Sequence, residues 1–476
     1  MPLRSISLVV IIALFTPCLA QTGATPTSTL EQNIRAELGF LASDAMQGRG
    51  SGTNFERLAA EYIGSQFRQF GLEPAGDTDA TGHKGFVQRV SMSSAKYTEA
   101  PTISITSGTD LKKWSYGKDF VVSNLRSASL SGELQVIDAN GLPAKNAVTL
   151  VKLPDTADAQ QRQDIVRKAR AAQAAGVLLI ESEANKKTRE AGNVRLPNLP
   201  TRLQGNTTSD ASFGVILLSK EAFDVVAAMP PGAKVDFGGP TQAGGDANTW
   251  NAVGVLRGSG PAADKEAIIL SAHLDHLGVN ESAAAGTDGI YNGADDDASG
   301  CIAVLELARA LAAGKRPKRT VYFVCFGSEE RGGFGAQYFI SNPPVPLEQI
   351  VANVEFEMLA RPDAKVAANT LWLTGYERST LGPELAKLGA RIVADPHPEQ
   401  NFFQRSDNYT LALRGVVAHT VSSFGLHTDY HRVSDDVSKV DFAFMAQSIA
   451  SLMKPIRWLA DTSFKPSWLP GKAPTR

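Results

Sequence analysis

Four apolar runs in the second half of the chain constrain the fold, because ionisable residues stand at or just beyond the end of each run. These residues are His273, the pair Glu329 and Glu330, Glu357, and His431 in the loop after the run at 416–421. Short apolar runs separated by helix-like segments are typical of buried strands in an open sheet. The binding crevice of such a sheet lies beyond the carboxyl ends of its strands. We therefore predict one site at that edge.

The alternation of segments predicts an α/β fold with a mixed, mostly parallel sheet and helices on both faces. Strand patterns in this part include 320–326 and 350–357, and helical patterns include 299–313 and 442–458. Two earlier helical patterns, at 30–41 and 55–70, are expected to pack on the same sheet.

Residues 97–239 have a different pattern, in which short β-like runs alternate with polar turns. This stretch contains one convincing helical pattern, at 158–175, and no histidine. We predict a β-rich domain inserted into the α/β host, which covers the site, restricts access to it or binds a partner. The Gly-rich stretch 238–248 is the expected linker.

The first twenty residues resemble a secretory signal peptide, with one Arg, an apolar run and a small residue before a polar segment. We expect cleavage after Ala20 and a secreted or periplasmic protein. A lipid anchor at Cys18 is the minor alternative, because Thr16-Pro17 makes a poor lipobox. No later stretch approaches the roughly 20 apolar residues of a transmembrane helix.

The predicted domain organisation has five parts. They are the signal peptide 1–20, a flexible leader 21–29, the host domain 30–96 and 245–462, the inserted domain 97–244, and a C-terminal tail 463–476.

Charge and cysteine content argue against a nucleic-acid-binding protein and against a fold held together by disulfides. A formal net charge of −2 and a pI near 6.4 argue against a nucleic-acid-binding surface. Once the signal peptide is removed, Cys301 and Cys325 remain, both in apolar segments. We expect two buried thiols and no disulfide framework, since a chain of this length has enough core without one.

The ionisable residues at the predicted edge have the chemistry of metal ligands. They supply two imidazoles and three carboxylates: His273, Asp296, Glu330, Glu357 and His431. A structural zinc prefers a closed set of thiolates and imidazoles, so this set has too many oxygens for one. It suits two divalent ions bridged by one carboxylate and a water or hydroxide.

Within this set, Asp296 is the natural bridge, because it lies in the acidic stretch GADDDASG that opens a helix. Asp275 is expected to accept the second ring N–H of His273 and to fix its tautomer. Asp297 is assigned to helix capping and not to the metal.

The adjacent residues Glu329 and Glu330 need separate roles, because neighbours on an extended chain point in opposite directions. We assign Glu330 as a ligand and Glu329 as the general base, which takes a proton from the attacking water and passes it to the leaving amine. A Ser/His/Asp mechanism is the competing one. The sequence has no Gly-x-Ser-x-Gly elbow, and Ser328 lies in the acidic turn.

A set of motifs in a fixed order carries a family resemblance. The motifs are HLDHLG, YNGADDDASG, FGSEERGGFGAQYF, NVEFEM and DYHRVSD. With them the chain resembles the zinc-dependent exopeptidases of the bacterial leucyl aminopeptidase and aminopeptidase Y family, over about 30–95 and 245–460. The inserted segment looks like a protease-associated domain.

The resemblance implies two Zn²⁺ ions and a role for each site residue. It places His273, Asp296 and Glu357 on one zinc, and Asp296, Glu330 and His431 on the other. It makes Glu329 the base and implies a cis peptide bond after Asp296. Tyr430 becomes a hydroxyl donor to the oxyanion, with simple loop packing as an equal alternative.

Three positions depart from the family pattern. Glu357 stands where many members have Asp, Ala360 where Gly is common, and Asn408 where His is frequent. The longer side chain of Glu357 can still reach a metal ion, with a change in metal spacing or preference as the expected consequence. Position 408 is not a zinc ligand in the pattern, so there we expect metal loading to survive and substrate contacts to differ. Arg405 either binds a substrate carboxylate or, more simply, forms a surface salt bridge.

The sequence thus predicts a secreted di-zinc aminopeptidase that acts on peptides with a free N-terminus. A zinc carboxypeptidase or amidohydrolase with the same site is one alternative. A non-catalytic binding protein that keeps the fold, with the inserted domain as its interaction surface, is the other. His276 and His427 lie close to predicted ligands in sequence and are not assigned to the metal.

Overall fold

The structure is a computed structural model that describes residues 28–154, 157–192, 194–204, 212–245 and 247–475. The predicted signal peptide lies outside the described residues. Within these ranges, no helix is long and apolar enough to cross a membrane.

The helices of the described residues are α1 Thr29–Leu41, α2 Asn54–Gln69, α3 Ala159–Ala171, α4 Glu183–Glu190, α5 Lys220–Ala227, α6 Gly300–Ala313, α7 Phe334–Ser341, α8 Leu381–Lys387, α9 Asn408–Ala412 and α10 Phe442–Asp461. The strands are β1 Glu73–Pro74, β2 Val87–Ser93, β3 Ala95–Tyr97, β4 Thr102–Ser107, β5 Asp110–Ser115, β6 Phe120–Leu125, β7 Leu130–Asp138, β8 Val148–Lys152, β9 Gly176–Ile180, β10 Arg202–Leu203, β11 Gly214–Leu218, β12 Lys234–Gly238, β13 Thr241–Ala243, β14 Ala247–Leu256, β15 Ala267–His273, β16 Gly278–Val279, β17 Ile290–Tyr291, β18 Thr320–Phe326, β19 Ile350–Phe356, β20 Leu371–Leu373, β21 Ile392–Ala394 and β22 Ala418–Ser422.

The larger sheet has the order β10-β2-β14-β18-β15-β19-β22-β20-β21, with β1 paired to β14. Its centre, β18-β15-β19-β22, is parallel. On one side β14 and β2 add antiparallel strands, and on the other β20 pairs antiparallel with β22. The sheet is therefore mixed, as predicted, but the expectation of a mostly parallel sheet is wrong. A parallel neighbour needs a long crossover connection. Among the nine strand pairings described for this sheet, four are parallel: the three of the centre and that of β20 with β21 at the edge.

Both faces of this sheet are covered. Alternate residues of β15 enter two different cores, because successive side chains on a strand point to opposite faces. Ile268 and Leu270 pack with α1, α2, α6 and α10, whereas Ala267 and Ile269 pack with α7 and α9. Cys301 and Cys325 are buried free thiols, as predicted.

The second sheet, β5-β4-β12-β7-β8-β9-β11-β6, is built from strands between Thr102 and Gly238. It has a core of its own, and the chain enters and leaves this region through the paired strands β3 and β13. This is the region where we predicted an inserted domain, and the domain boundaries stay a prediction.

The expectation of a single helix in that region is wrong, because α4 and α5 are present as well as α3. Helix α4 buries none of its residues and so has no apolar face to give a periodic signal. Helix α5 has only eight residues, too few for a clear period.

Candidate metal centre

The parallel centre of the large sheet brings the predicted site residues to one edge. Strand β15 ends at His273, β18 ends three residues before Glu329, and β19 ends directly before Glu357. Because these strands are parallel neighbours, their carboxyl ends lie side by side.

One candidate ligand group consists of His273, Asp296 and Glu357, whose donor atoms all lie within 4.8 Å of one another. Nε2 of His273 is 3.2 Å from Oδ1 of Asp296. Neither this Nε2 nor Oδ2 of Asp296 has a hydrogen-bond partner, although both atoms are buried. Buried polar atoms are normally paired, so these orphaned donor atoms fit a bound cation.

A second group shares Asp296 and consists of His276, Asp296 and Glu330, again within 4.8 Å. Nδ1 of His276 is 2.9 Å from Oε1 of Glu330 and 3.7 Å from Oδ2 of Asp296. We had not assigned His276 to the centre. Its only sequence signal is its position three residues after His273, in the same strand exit.

His431 approaches the same two carboxylates from a more open side. Its Nε2 is 3.2 Å from Oδ2 of Asp296 and 3.3 Å from Oε2 of Glu330, and 35% of its side chain is exposed. His276, by contrast, is completely buried. Two histidines therefore face the pair Asp296 and Glu330, where the sequence indicated one.

Neighbouring aspartates hold the turn that carries Asp296. The peptide bond between Asp296 and Asp297 is cis, as the resemblance implies. The Asp297 carboxylate accepts the backbone N–H of Gly300 at 2.9 Å and that of His273 at 3.2 Å. It thus ties the start of α6 to the end of β15, which agrees with its assignment to helix capping.

His427 lies on Asp295 and not on Asp296. Its Nε2 is 3.0 Å from Oδ2 of Asp295, whose other carboxylate oxygen accepts the backbone N–H of Ala360 at 2.8 Å. As expected, His427 is in neither candidate ligand group.

Asp275 makes contacts that differ from the expected ones. Nδ1 of His273 lies 3.2 Å from the backbone carbonyl oxygen of Asp275 and 3.8 Å from Oδ1 of the Asp275 carboxylate. The carboxylate instead accepts the Ser51 hydroxyl and, at 2.9 Å, the backbone N–H of Glu329. The Asp275 carboxylate therefore positions the backbone of Glu329, and the Asp275 backbone carbonyl is the group that contacts the His273 ring.

Arg49, which the sequence did not single out, supports the loops on both sides of the centre. Its buried guanidinium donates to the carbonyl oxygens of Leu274 at 2.9 Å, Asn292 at 2.6 Å and Gly293 at 2.9 Å. It also donates to the carbonyl of Leu41, at the end of α1, at 2.7 Å. The Arg49 side chain thus holds both the residue after His273 and the turn before Asp296 by hydrogen bonds.

Arg361 and Asp435 form a second support that was not predicted. Arg361 donates to Asp429 at 2.7 Å and to Asp435 at 3.2 Å. The Asp435 carboxylate in turn accepts the backbone N–H groups of Asp295 and Asp296, both at 3.1 Å. This network ties the loop that carries His431 to the turn that carries Asp296.

In the metal-free chain, the pKa of Asp296 is lowered and the pKa of Glu329 is raised. Burial raises the pKa of Asp296, but the neighbouring imidazoles of His276, His273 and His431 hold it well below its usual range. Burial raises the pKa of Glu329 well above its usual range, and nearby carboxylates, including that of Glu357, add to the rise. Carboxyls with pKa values moved in opposite directions are typical of sites that do acid–base chemistry.

Tyr430 and Asn408 lie at the edges of this arrangement. The Tyr430 ring stacks on His431 with ring centres 3.8 Å apart, and burial raises the pKa of its hydroxyl, which stays a proton donor. Asn408 is buried, and its amide is directed to the backbone carbonyls of Phe403 and Ala418 at 3.3 and 3.4 Å.

The sequence model of Peptidase family M28 matches residues 251–454, a stretch that contains every predicted ligand. This segment is therefore similar to peptidase family M28. The family prediction is confirmed, and it is a family of metallopeptidases.

Three known proteins are similar to this chain at low identity or over a short stretch. The leupeptin-inactivating enzyme 1 of Streptomyces exfoliatus is 31% identical over 106 residues, which is 22% of this chain and 22% of that enzyme. The chain thus spans about a fifth of that relative's length. An aminopeptidase from Aneurinibacillus sp. strain AM-1 is 17% identical, with a TM-score of 0.52 over 94% of this chain and 97% of that one. A zinc aminopeptidase from Bacillus subtilis is 16% identical, with a TM-score of 0.47 over 91% and 95%. At such identities the Aneurinibacillus likeness supports the fold alone.

Proposed function

We propose that the chain is a secreted two-zinc aminopeptidase that hydrolyses the first peptide bond of substrates with a free N-terminus. The observation that carries the proposal is the convergence of two ligand groups on the shared carboxylate of Asp296.

The spacing of donor atoms supports zinc and favours His431 as a ligand. Two nitrogen or oxygen ligands at tetrahedral angles around one zinc ion are about 3.3 Å apart. His273 and Asp296 are separated by 3.2 Å, and His431 lies 3.2 and 3.3 Å from Asp296 and Glu330. The distances from His276 are unequal, and the shorter one, 2.9 Å to Glu330, is a hydrogen bond.

We therefore assign His273, Asp296 and Glu357 to one zinc, and Asp296, Glu330 and His431 to the other. His276 then orients the Glu330 carboxylate, as residues behind a metal ligand commonly do.

Zinc ions at this site would lower the pKa of a bound water molecule and polarise the substrate carbonyl. Glu329 accepts the proton of the attacking water and delivers it to the leaving amine. The Asp275 carboxylate accepts the backbone N–H of Glu329 at 2.9 Å. No described residue donates a hydrogen bond to the side-chain carboxylate of Glu329. Burial raises the pKa of Glu329 above its usual range in the metal-free chain, which favours its role as a proton acceptor. Tyr430, kept protonated, donates its hydroxyl to the oxygen on which negative charge develops.

The Glu329→Gln variant tests the proposal, with Glu348→Gln as a matched control on an exposed residue. Hydrolysis of leucine p-nitroanilide should fall by at least about 100-fold in Glu329→Gln, because general base catalysis contributes that much or more. Metal analysis should find two zinc ions per chain in both variants. Full activity of Glu329→Gln would end the proposed base role, and a single ion or calcium would end the two-zinc arrangement.

Two further measurements separate the proposal from its alternatives. Acetylation of the leucine amino group should abolish hydrolysis, whereas a carboxypeptidase or amidohydrolase would tolerate it. N-terminal sequencing of the exported protein should begin just after Ala20, and an uncleaved chain in the cytoplasm would contradict secretion.

A further inference from the structure

We propose that Arg405 binds a carboxylate of the substrate, so that the site favours peptides with an acidic group at a fixed position. The inference rests on the proposed peptidase function and deepens it by naming a substrate class. The carboxylate is either the side chain of an acidic first residue or the terminal carboxylate of a short peptide.

Arg405 lines a cavity that opens onto the metal centre. The wall of this cavity also contains Glu357, Tyr430 and the aromatic residues Trp372 and Phe402. A substrate whose scissile bond lies at Glu357 therefore has its neighbouring groups beside Arg405.

The guanidinium of Arg405 has no acidic partner among the residues that the structure describes. The simpler expectation, a surface salt bridge, is not met within the described ranges, where no ion pair includes Arg405, although Arg361 in the same region contacts three aspartates. Among the described residues, the polar contact of Arg405 is a long one, 3.5 Å from Nη2 to the Tyr430 hydroxyl. Most of its five N–H donors are thus available to a ligand.

Aromatic stacking holds this free cation in place. Cζ of Arg405 lies 4.9 Å from the centre of the Phe402 ring, which stacks on Trp372 with centres 5.3 Å apart. Trp372 is itself fixed by a 3.1 Å hydrogen bond from its Nε1 to Asp363. A guanidinium that lies on a ring keeps its edge donors free for a carboxylate, which it binds through two parallel hydrogen bonds.

Two pairs of substrates distinguish the sources of the carboxylate. The first pair is glutamate and glutamine p-nitroanilide, which differ only in the charge of the first side chain. The second pair is Leu-Ala and Leu-Ala amide, which differ only at the C-terminus. For each pair, the ratio of kcat/KM for the acid to that for the amide is measured in the wild type, in Arg405→Met and in Arg414→Met. Arg414 is exposed and does not line the cavity, so its variant has the same change in net charge.

We expect the ratio in one pair to fall by about tenfold in Arg405→Met, since a charge-assisted bidentate contact at a partly exposed site is worth about that much. The pair in which the ratio falls identifies the source of the carboxylate. Arg414→Met should keep the wild-type ratios. Ratios within about threefold of the wild type in both pairs would overturn the inference.

A binding measurement keeps this test separate from the proposed activity. Titration calorimetry of Leu-Ala, Leu-Ala amide, Glu-Ala amide and Gln-Ala amide uses the Glu329→Gln protein with and without Arg405→Met. Loss of the preference for an acid on removal of Arg405 supports the inference even without turnover. If the wild type hydrolyses none of the substrates, the proposed function fails; if affinities for acid and amide are equal in the presence of Arg405, the inference fails.

Discussion

Replacing Arg49 with Met should destabilise the framework of the metal centre without removing any proposed ligand. The side chain is only 1% exposed and donates to four backbone carbonyls, which lie at the end of α1, after His273 and before Asp296. A methionine fills a similar volume but donates nothing, so the carbonyls of Leu41, Leu274 and Asn292 lose their partner, whereas that of Gly293 still accepts the backbone N–H of Ala298 at 3.2 Å.

The magnitude follows from the carbonyls that lose their donor. A buried carbonyl left without a donor costs about 1–3 kcal/mol. Burial of the charged guanidinium is itself unfavourable, and it lowers the pKa of Arg49. Removal of this buried charge therefore offsets part of the stability lost with the hydrogen bonds. Taking the lower end for each of the three carbonyls that lose their donor, we expect Arg49→Met to lower the free energy of unfolding by about 3 kcal/mol. That is a large part of the roughly 5–15 kcal/mol of a typical protein.

Urea denaturation of chelator-treated protein measures this loss apart from any change in metal binding. Arg57→Met on the exposed face of α2 is the control and should change the free energy by about 0.5 kcal/mol or less. Arg49→Lys should be intermediate, because one ammonium reaches fewer carbonyls than a planar fork. Zinc titration should also show weaker binding in Arg49→Met. A free energy of unfolding within about 1 kcal/mol of the wild type would refute the reasoning.

Two other predictions concern histidines. In zinc titrations, His276→Ala should keep two ions at saturation but bind zinc about 10–100-fold more weakly, whereas His431→Ala should lose one ion per chain; the reverse pattern would make His276 the ligand. Burial lowers the pKa of His419 to about 4, so the folded protein keeps this group neutral while the unfolded chain takes up a proton below about pH 6.5. The unfolded state then binds more protons, and His419 should cost up to about 3 kcal/mol of stability as the pH falls from about 6.5 to 4. The fall in urea midpoint between these pH values should be smaller in His419→Gln, and equal falls in the two proteins would contradict the assignment.

Sequence patterns were sufficient for the central strands and for most of the candidate ligands. Strands β15, β18 and β19 are uninterrupted apolar runs, and residues at their ends meet because parallel neighbours end at one edge. The same reasoning failed at the sides of the sheet. There, β14, β2 and β20 each pair antiparallel with the strand on their inner side. Strand direction at an edge depends on how the chain returns to the sheet, which periodicity does not record.

The sequence by itself determined which chemistry the chain carries: imidazoles and carboxylates at strand ends, with Asp296 at a helix start. Only the tertiary structure decided how these groups are supported. His276 faces Glu330, and Arg49 holds three separate loops. Arg405 contacts Tyr430 and has no acidic partner in the part of the chain that the structure describes. Each of these facts depends on contacts between residues far apart in the chain. A local pattern reports the spacing of residues along one strand or helix, whereas a buried hydrogen bond or an unpaired charge is a property of the packed molecule.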